Sequence, residues 1–214
     1  PNLSVAAGGS GVTDLWVQPI GIGWHFKRAA IQVMNGLMLP TGRYSPGATD
    51  NVGTGYFGNH LQSGTTLYLT QNQGTTLNLF TDWEVHGTRT GVNNTTKTPG
   101  QAFTTEWGLG QVLPLRKDLS QLLQLGVIGY DQWQLTANGG TAAIGPVVVP
   151  ASLIPKYSVH AVGGQIAYVI PRLSLAPYFK YEDEYAARSH TRGNTLVFGL
   201  SWTLRIPKPT PPKP

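Results

Sequence analysis

The sequence has no cysteine, so it can hold neither a disulfide framework nor a thiolate metal site nor a cysteine nucleophile. Charge is also scarce: Asp, Glu, Lys and Arg make up 12% of the 214 residues, against roughly 25% in an ordinary soluble domain. The net charge of +5 is scattered, with Arg205, Lys208 and Lys213 at or beyond the last predicted strand, and it does not indicate a nucleic-acid groove. No apolar run reaches the roughly 18 to 20 residues of a membrane-spanning helix, which excludes helical spanning and leaves a barrel open. A 3.6-residue apolar period is missing, and so are HExxH, GxSxG and P-loop motifs. The chain begins at Pro1 with no apolar signal segment, which reads as a processed form or a piece of something longer. In excess are the 27 glycines, and 40% hydrophobic residues with six Trp, nine Tyr and six Phe imply a folded chain.

The dominant pattern has period two, the spacing that sends alternate side chains to opposite faces of a strand. Leu196, Phe198, Leu200, Trp202, Leu204 and Ile206 alternate with Val197, Gly199, Ser201, Thr203 and Arg205. Leu77, Leu79, Trp83 and Val85 alternate with Asn78, Phe80, Asp82, Glu84 and His86. The same rule sets Phe103, Trp107, Leu109 and Leu113 against Thr104, Glu106, Gly108 and Arg116. It also sets Leu123, Leu125, Val127 and Trp133 against Gln124, Tyr130, Gln132 and Gln134. Finally, Leu173, Leu175, Phe179 and Tyr181 stand against Arg172, Tyr178, Lys180, Glu182 and Glu184. Each strand has one greasy face and one small, polar or charged face.

The alternation predicts an all-β chain of nine strands, at 12–26, 28–39, 54–70, 74–86, 101–116, 121–136, 157–170, 172–186 and 194–206. Splitting 54–70 gives ten. Connections alternate in length: short near Lys27, at 71–73, at 117–120 and at Pro171, and longer over 40–53, 87–100, 137–156 and 187–193. Long strands, short turns at one rim and long loops at the other are the plan of an antiparallel up-and-down transmembrane β-barrel of a Gram-negative outer membrane. The long loops, such as Gly91–Gly100 and Ala137–Pro155, are predicted to be exposed irregular chain. The predicted organisation is an extended N-terminal segment at 1–10, a barrel domain at 11–206 and a Pro/Lys-rich periplasmic tail at 207–214. Nine strands place the two ends of the barrel at opposite rims, whereas a single-chain barrel has an even count. An odd number of strands then precedes Pro1, or residues 1–10 thread the lumen, or a partner chain or second copy completes the sheet.

Three stretches resemble a known family. Leu39–Tyr44 (LPTGRY) followed by Asn51–Gly55 (NVGTG) is similar to a Pro-Thr-Gly-aromatic loop with an Asn-Xaa-Gly step. Gly11–Leu15 (GVTDL) is similar to a Gly-Xaa-Gly-Asp-Leu start, with Thr13 at the second glycine, and Pro99–Tyr130 runs from PGQAF to GVIGY. These motifs resemble outer-membrane transporters named after the meta-cleavage pathway of phenol degradation. The resemblance spans about 11–206 and implies a twelve-stranded barrel, three of whose strands lie before the matched region.

If the apolar faces meet membrane lipid, the other faces line a lumen. The lumen set is then Asp82, Glu84, His86, Glu106, Arg116, Tyr130, Gln132, Arg172, Tyr178, Lys180, Glu182 and Glu184. Such a set either selects solutes or plugs a narrow barrel with salt bridges. Pro40, Thr41, Gly42, Arg43 and Tyr44 are predicted to shape the outer mouth. Trp83, Trp107, Trp133 and Trp202, with Trp16 and Trp24, lie on or near apolar faces and read as interfacial anchors. His25, His60, His86, His160 and His190 are dispersed, and Ser158 with His160 has no evident acid, so no catalytic group, metal or cofactor is expected. The function read from these features is passive uptake of small hydrophobic or aromatic solutes. The alternative is a structural barrel subunit that pairs with other chains in an envelope or extracellular assembly.

Overall fold

The computed structural model describes residues 9–203. The predicted Pro/Lys tail, the strand end at Leu204–Ile206 and most of the N-terminal segment lie outside them. Among the described residues thirteen strands form: β1 Leu15–His25, β2 Ala29–Leu39, β3 Gly58–Tyr68, β4 Thr75–His86, β5 Arg89–Thr90, β6 Thr96–Thr98, β7 Ala102–Pro114, β8 Leu122–Gln134, β9 Gly139–Ile144, β10 Val147–Pro150, β11 Ser158–Val169, β12 Leu175–Arg188 and β13 Asn194–Trp202. Nine of them make one sheet in the order β1-β2-β3-β4-β7-β8-β11-β12-β13, a meander in which every neighbouring pair is antiparallel. Residues 54–70 contribute the single strand β3, so the nine-strand reading stands against ten. Among the described residues β1 and β13 remain sheet edges, so the expected barrel closure is absent there.

Register assigns the two faces, because directly paired residues in an antiparallel ladder share a side. Leu61 pairs with Trp83, Leu79 with Trp107, Leu109 with Val127 and Phe179 with Phe198, which builds one continuous apolar face. Leu79, Val127, Leu196 and Phe198 on that face are all exposed. The buried apolar residues are small, among them Ala102, Val159, Ala161 and Ala167, and no large side chain among the described residues is fully buried. A sheet with its large apolar side chains outside and no central apolar core is stable when lipid covers the belt; in water so broad a patch is an aggregation surface.

Strand ends carry two departures from simple alternation. A bulge between Val17 and Ile20 lets Trp16 pair with Met38, on the face opposite to Ile20, Ile22 and Trp24. Trp16 therefore lies on the polar face, over Gly36 and edge-on to His60 at 4.6 Å, and not on the apolar face. A second bulge lies between His160 and Val162.

The loops at the long-loop rim are more ordered than expected. β5 and β6 from the 87–101 connection join β9 and β10 from the 135–157 connection in a four-stranded sheet, order β10-β9-β6-β5. The β9–β10 hairpin turns at Gly145, whose φ of 59° is left-handed, and the β-branched run Val147–Val149 then pairs with Ala142–Ile144. Turn-rich flanks hide this run in the sequence.

Candidate functional site

The polar face curls around a cavity of about 460 Å³ lined from β1 (Gly23, His25) to β12 (Lys180, Glu182). Glycine gives it room: Gly108 and Gly126 present no side chain to it, and Gln32 folds over Gly64. Phe80 and Ile128 supply apolar surface beside the amides of Gln32, Gln124 and Gln165. Glu106 is exposed at the cavity, whereas Glu182 is 4% exposed and pairs with Lys180 Nζ at 2.8 Å. The lining therefore combines a solvated carboxylate, a neutralised ion pair and aromatic surface.

Nearer the long-loop rim the polar face is filled. His60 Nδ1 lies 3.0 Å from Asp82 Oδ2, which also accepts from Gln62 Nε2 at 3.0 Å. Glu84 Oε2 lies 3.3 Å from His86 Nε2, and His86 Nδ1 lies 2.9 Å from the Gly100 carbonyl. Tyr130 donates to Glu184 Oε1 at 2.6 Å, and Glu184 Oε2 accepts from the Gly193 N–H at 2.7 Å, tying the β12–β13 loop to β8. Gln132 donates to Thr104, and Tyr178 lies across Gly199, where any Cβ would collide with its ring.

The 40–57 loop is organised by Asp14. Its Oδ1 accepts from the Gly42 N–H at 2.9 Å, and its Oδ2 accepts from the Thr54 N–H and hydroxyl at 2.7 Å each. Gly42 and Gly53 meet backbone to backbone beside it, so neither tolerates a Cβ. Burial raises the Asp14 carboxyl, but the hydrogen bonds from Thr54 and Gly42 outweigh it and hold the group below its ordinary 3.8. Arg43 pairs with Asp50 at 2.6 Å. The Arg89 guanidinium lies against both Tyr44 and Tyr56, at 5.6 and 5.5 Å from the ring centroids, joining this loop to β5. Leu39–Tyr44 and Asn51–Gly55 thus fit one another through Asp14 and through a close glycine contact.

The register puts Asp82, Glu84, His86, Glu106, Tyr130, Gln132, Tyr178, Lys180 and Glu182 on the polar face, and Glu184 reaches it through Tyr130. Two residues of the predicted lumen set lie elsewhere. Arg116 is in the 115–121 turn because β7 stops at Pro114. Arg172 is in a short 3-10 turn at Pro171–Leu173, mostly exposed, 3.6 Å from Asp118. The period-two pattern of the sequence runs past the ends of both strands. Trp83, Trp107, Trp133 and Trp202 lie on the apolar face.

Sequence reasoning missed a polar group on that apolar face. Trp107 Nε1 donates to Asp131 Oδ2 at 3.1 Å, and His160 Nδ1 lies 2.7 Å from Asp131 Oδ1. Asp131 is the acid that no local spacing offered to His160, yet no hydrogen bond joins Ser158 to His160 among the described residues. The signal was the Asp131–His160 cross-strand pair, visible only once β8 and β11 are in register.

The family model described as "Putative MetA-pathway of phenol degradation" matches residues 2–200. No curated protein matches the sequence. Among solved structures, an outer membrane channel from Pseudomonas putida F1 superposes with a TM-score of 0.67 at 12% identity, over 89% of this chain and 66% of that one. The two share the fold, and this chain spans just under two thirds of that channel's length.

Proposed function

The chain belongs to this phenol-degradation family, and on that premise we propose that it forms the wall of an outer-membrane channel in a Gram-negative cell, through which small hydrophobic or aromatic solutes diffuse without chemistry. The observation that carries this reading is the pairing of the 460 Å³ cavity on the polar face with an exposed apolar belt on the other. Phe80 and Ile128 give an aromatic solute apolar contact, the glutamines accept or donate to a hydroxyl, and Glu106 favours cations in the aqueous path. The outward tryptophans fit the headgroup levels: Trp83 and Trp133 lie near the long-loop rim and Trp24 and Trp202 near the short-turn rim. The fold shared with the Pseudomonas channel is consistent with this reading.

The test is single-channel recording in planar bilayers with the natural full-length protein, its intact mass measured on the same sample. Discrete, salt-dependent current steps are expected, with a small phenol reducing the current. Glu106→Gln should move the reversal potential in a salt gradient toward weaker cation preference. Silence from protein shown to be folded and inserted overturns the channel reading and favours a structural subunit.

A further inference from the structure

At the long-loop rim the outward face of the sheet holds two polar side chains that the channel reading leaves unused. Resting on that reading, in which this face meets lipid, we propose that Arg188 and Ser158 bind the phosphate of a membrane-lipid headgroup.

Register places the pair. Directly opposed residues run in one row from β3 to β12: Leu61, Trp83, Phe103, Trp133, Ser158 and Arg188. Residues opposed in an antiparallel ladder share a side, with Cβ atoms about 4.5–5.5 Å apart, so the whole row faces outward and Arg188 stands beside Ser158. Trp83 and Trp133 mark the level at which a bilayer passes from hydrocarbon to headgroups. The same row therefore ends, at phosphate depth, in a guanidinium next to a hydroxyl.

The protein itself uses neither group. Arg188 is exposed, and among the described residues neither its guanidinium nor the Ser158 hydroxyl has a hydrogen-bond or ion partner. Two acids lie on this face. Asp131 is taken up by Trp107 Nε1 and His160 Nδ1. Asp183 is opposite Val162, four residues along β11 from Ser158, which is roughly 13 Å at strand spacing. A fixed positive charge and a free hydroxyl are left for an anion from outside the chain. A guanidinium gives a phosphate two parallel N–H bonds, and the serine hydroxyl can add a third.

Apolar surface beside the pair favours a lipid over a free anion. His160, held by Asp131 at 2.7 Å, lies edge-on to Trp133 at 5.6 Å and against Tyr185 at 6.3 Å, which fixes both rings next to Ser158. Val162 and Ile166 follow Ser158 along the same face of β11, and both are exposed. A lipid whose phosphate sits on Arg188 can lay its chains over these groups; inorganic phosphate would use the two donors alone.

The test counts bound molecules by native mass spectrometry. The natural full-length protein in detergent micelles is titrated with dioleoylphosphatidylglycerol, dioleoylglycerol or inorganic phosphate, and flotation with phospholipid vesicles is run on the same sample. A saturable phospholipid adduct is expected, about 10-fold tighter than that of the diacylglycerol and not displaced by excess phosphate. Arg188→Gln should weaken it about 10-fold and Ser158→Ala about 3-fold, while Arg188→Lys, which keeps the charge and loses the fork, should fall between parent and Arg188→Gln. Lys117→Gln removes the same charge from the 115–121 turn at the other rim and should change nothing. Equal binding of both lipids by the unmutated protein, or a folded Arg188→Gln that binds like the parent, overturns this site and leaves the channel standing. Lipid displaced by phosphate assigns the pair to a free anion and overturns the lipid occupant. Protein that does not float with the vesicles overturns the outer-membrane reading and this site with it.

Discussion

Asp14→Asn is a small change in shape that should loosen the outer loop strongly. The carboxylate uses both oxygens as acceptors, Oδ1 for Gly42 and Oδ2 for Thr54 twice. An amide keeps one oxygen, which serves the two Thr54 donors best, and then turns its NH₂ toward the Gly42 N–H. One charge-assisted bond is lost and replaced by donor facing donor. Bonds to charged groups contribute roughly 1.5–3 kcal/mol each, and the half-exposed position lets water replace part of it, leaving a cost of about 2 kcal/mol. That corresponds to roughly 30-fold more frequent local opening. Amide hydrogen exchange of the protein in lipid nanodiscs reads it: Gly42 and Thr54 should exchange about 30-fold faster, while β7 and β8 amides keep their protection. Equal exchange at Gly42 in both proteins would refute the anchoring role.

The same carboxyl gives a pH signature. Its ionisation lies below the unfolded value of 3.8, so its stabilisation is complete above 3.8 and is lost as pH falls through the folded value; Gly42 protection should hold at neutral and mildly acidic pH and collapse only below 3.8. Lys180→Met should destabilise the protein in urea by about 3 kcal/mol because it strands the buried Glu182 charge. The double variant Lys180→Met/Glu182→Gln should recover most of that; an equal or larger loss would show that the pair is not acting as a buried couple. Gly199→Val should displace the Tyr178 ring that covers it, seen as a higher unfolding rate and increased Tyr178 accessibility to nitration; unchanged accessibility would refute the close contact.

Alternation made the strands legible because nearly every one has an unbroken greasy face: Leu77 to Val85 and Leu196 to Trp202 needed no tertiary information. Trp16 escaped because one extra residue in a bulge reverses the face of everything before it, and no local pattern marks that step. The small sheet escaped because its ladders join two loops separated by β7 and β8, and Lys97 meets Gly140 only after those strands are aligned. His60 stands apart from Asp82 and Glu84 in the sequence for the same reason. Their proximity is a property of the β3–β4 register, which the hairpin turn at 69–74 sets and residue spacing along one strand does not express.

The loop sheet also orders events in time. Its β6–β9 ladder continues outward from β7 and β8, so it has no partner until those two strands stand side by side. The β7–β8 hairpin must close before it, which makes this ladder a clock hand that moves only after that hairpin has zipped. A protease pulsed during folding should therefore still cut at 137–156 after β7–β8 has become resistant, and the interval between the two would time the zipping of the loop sheet onto that hairpin.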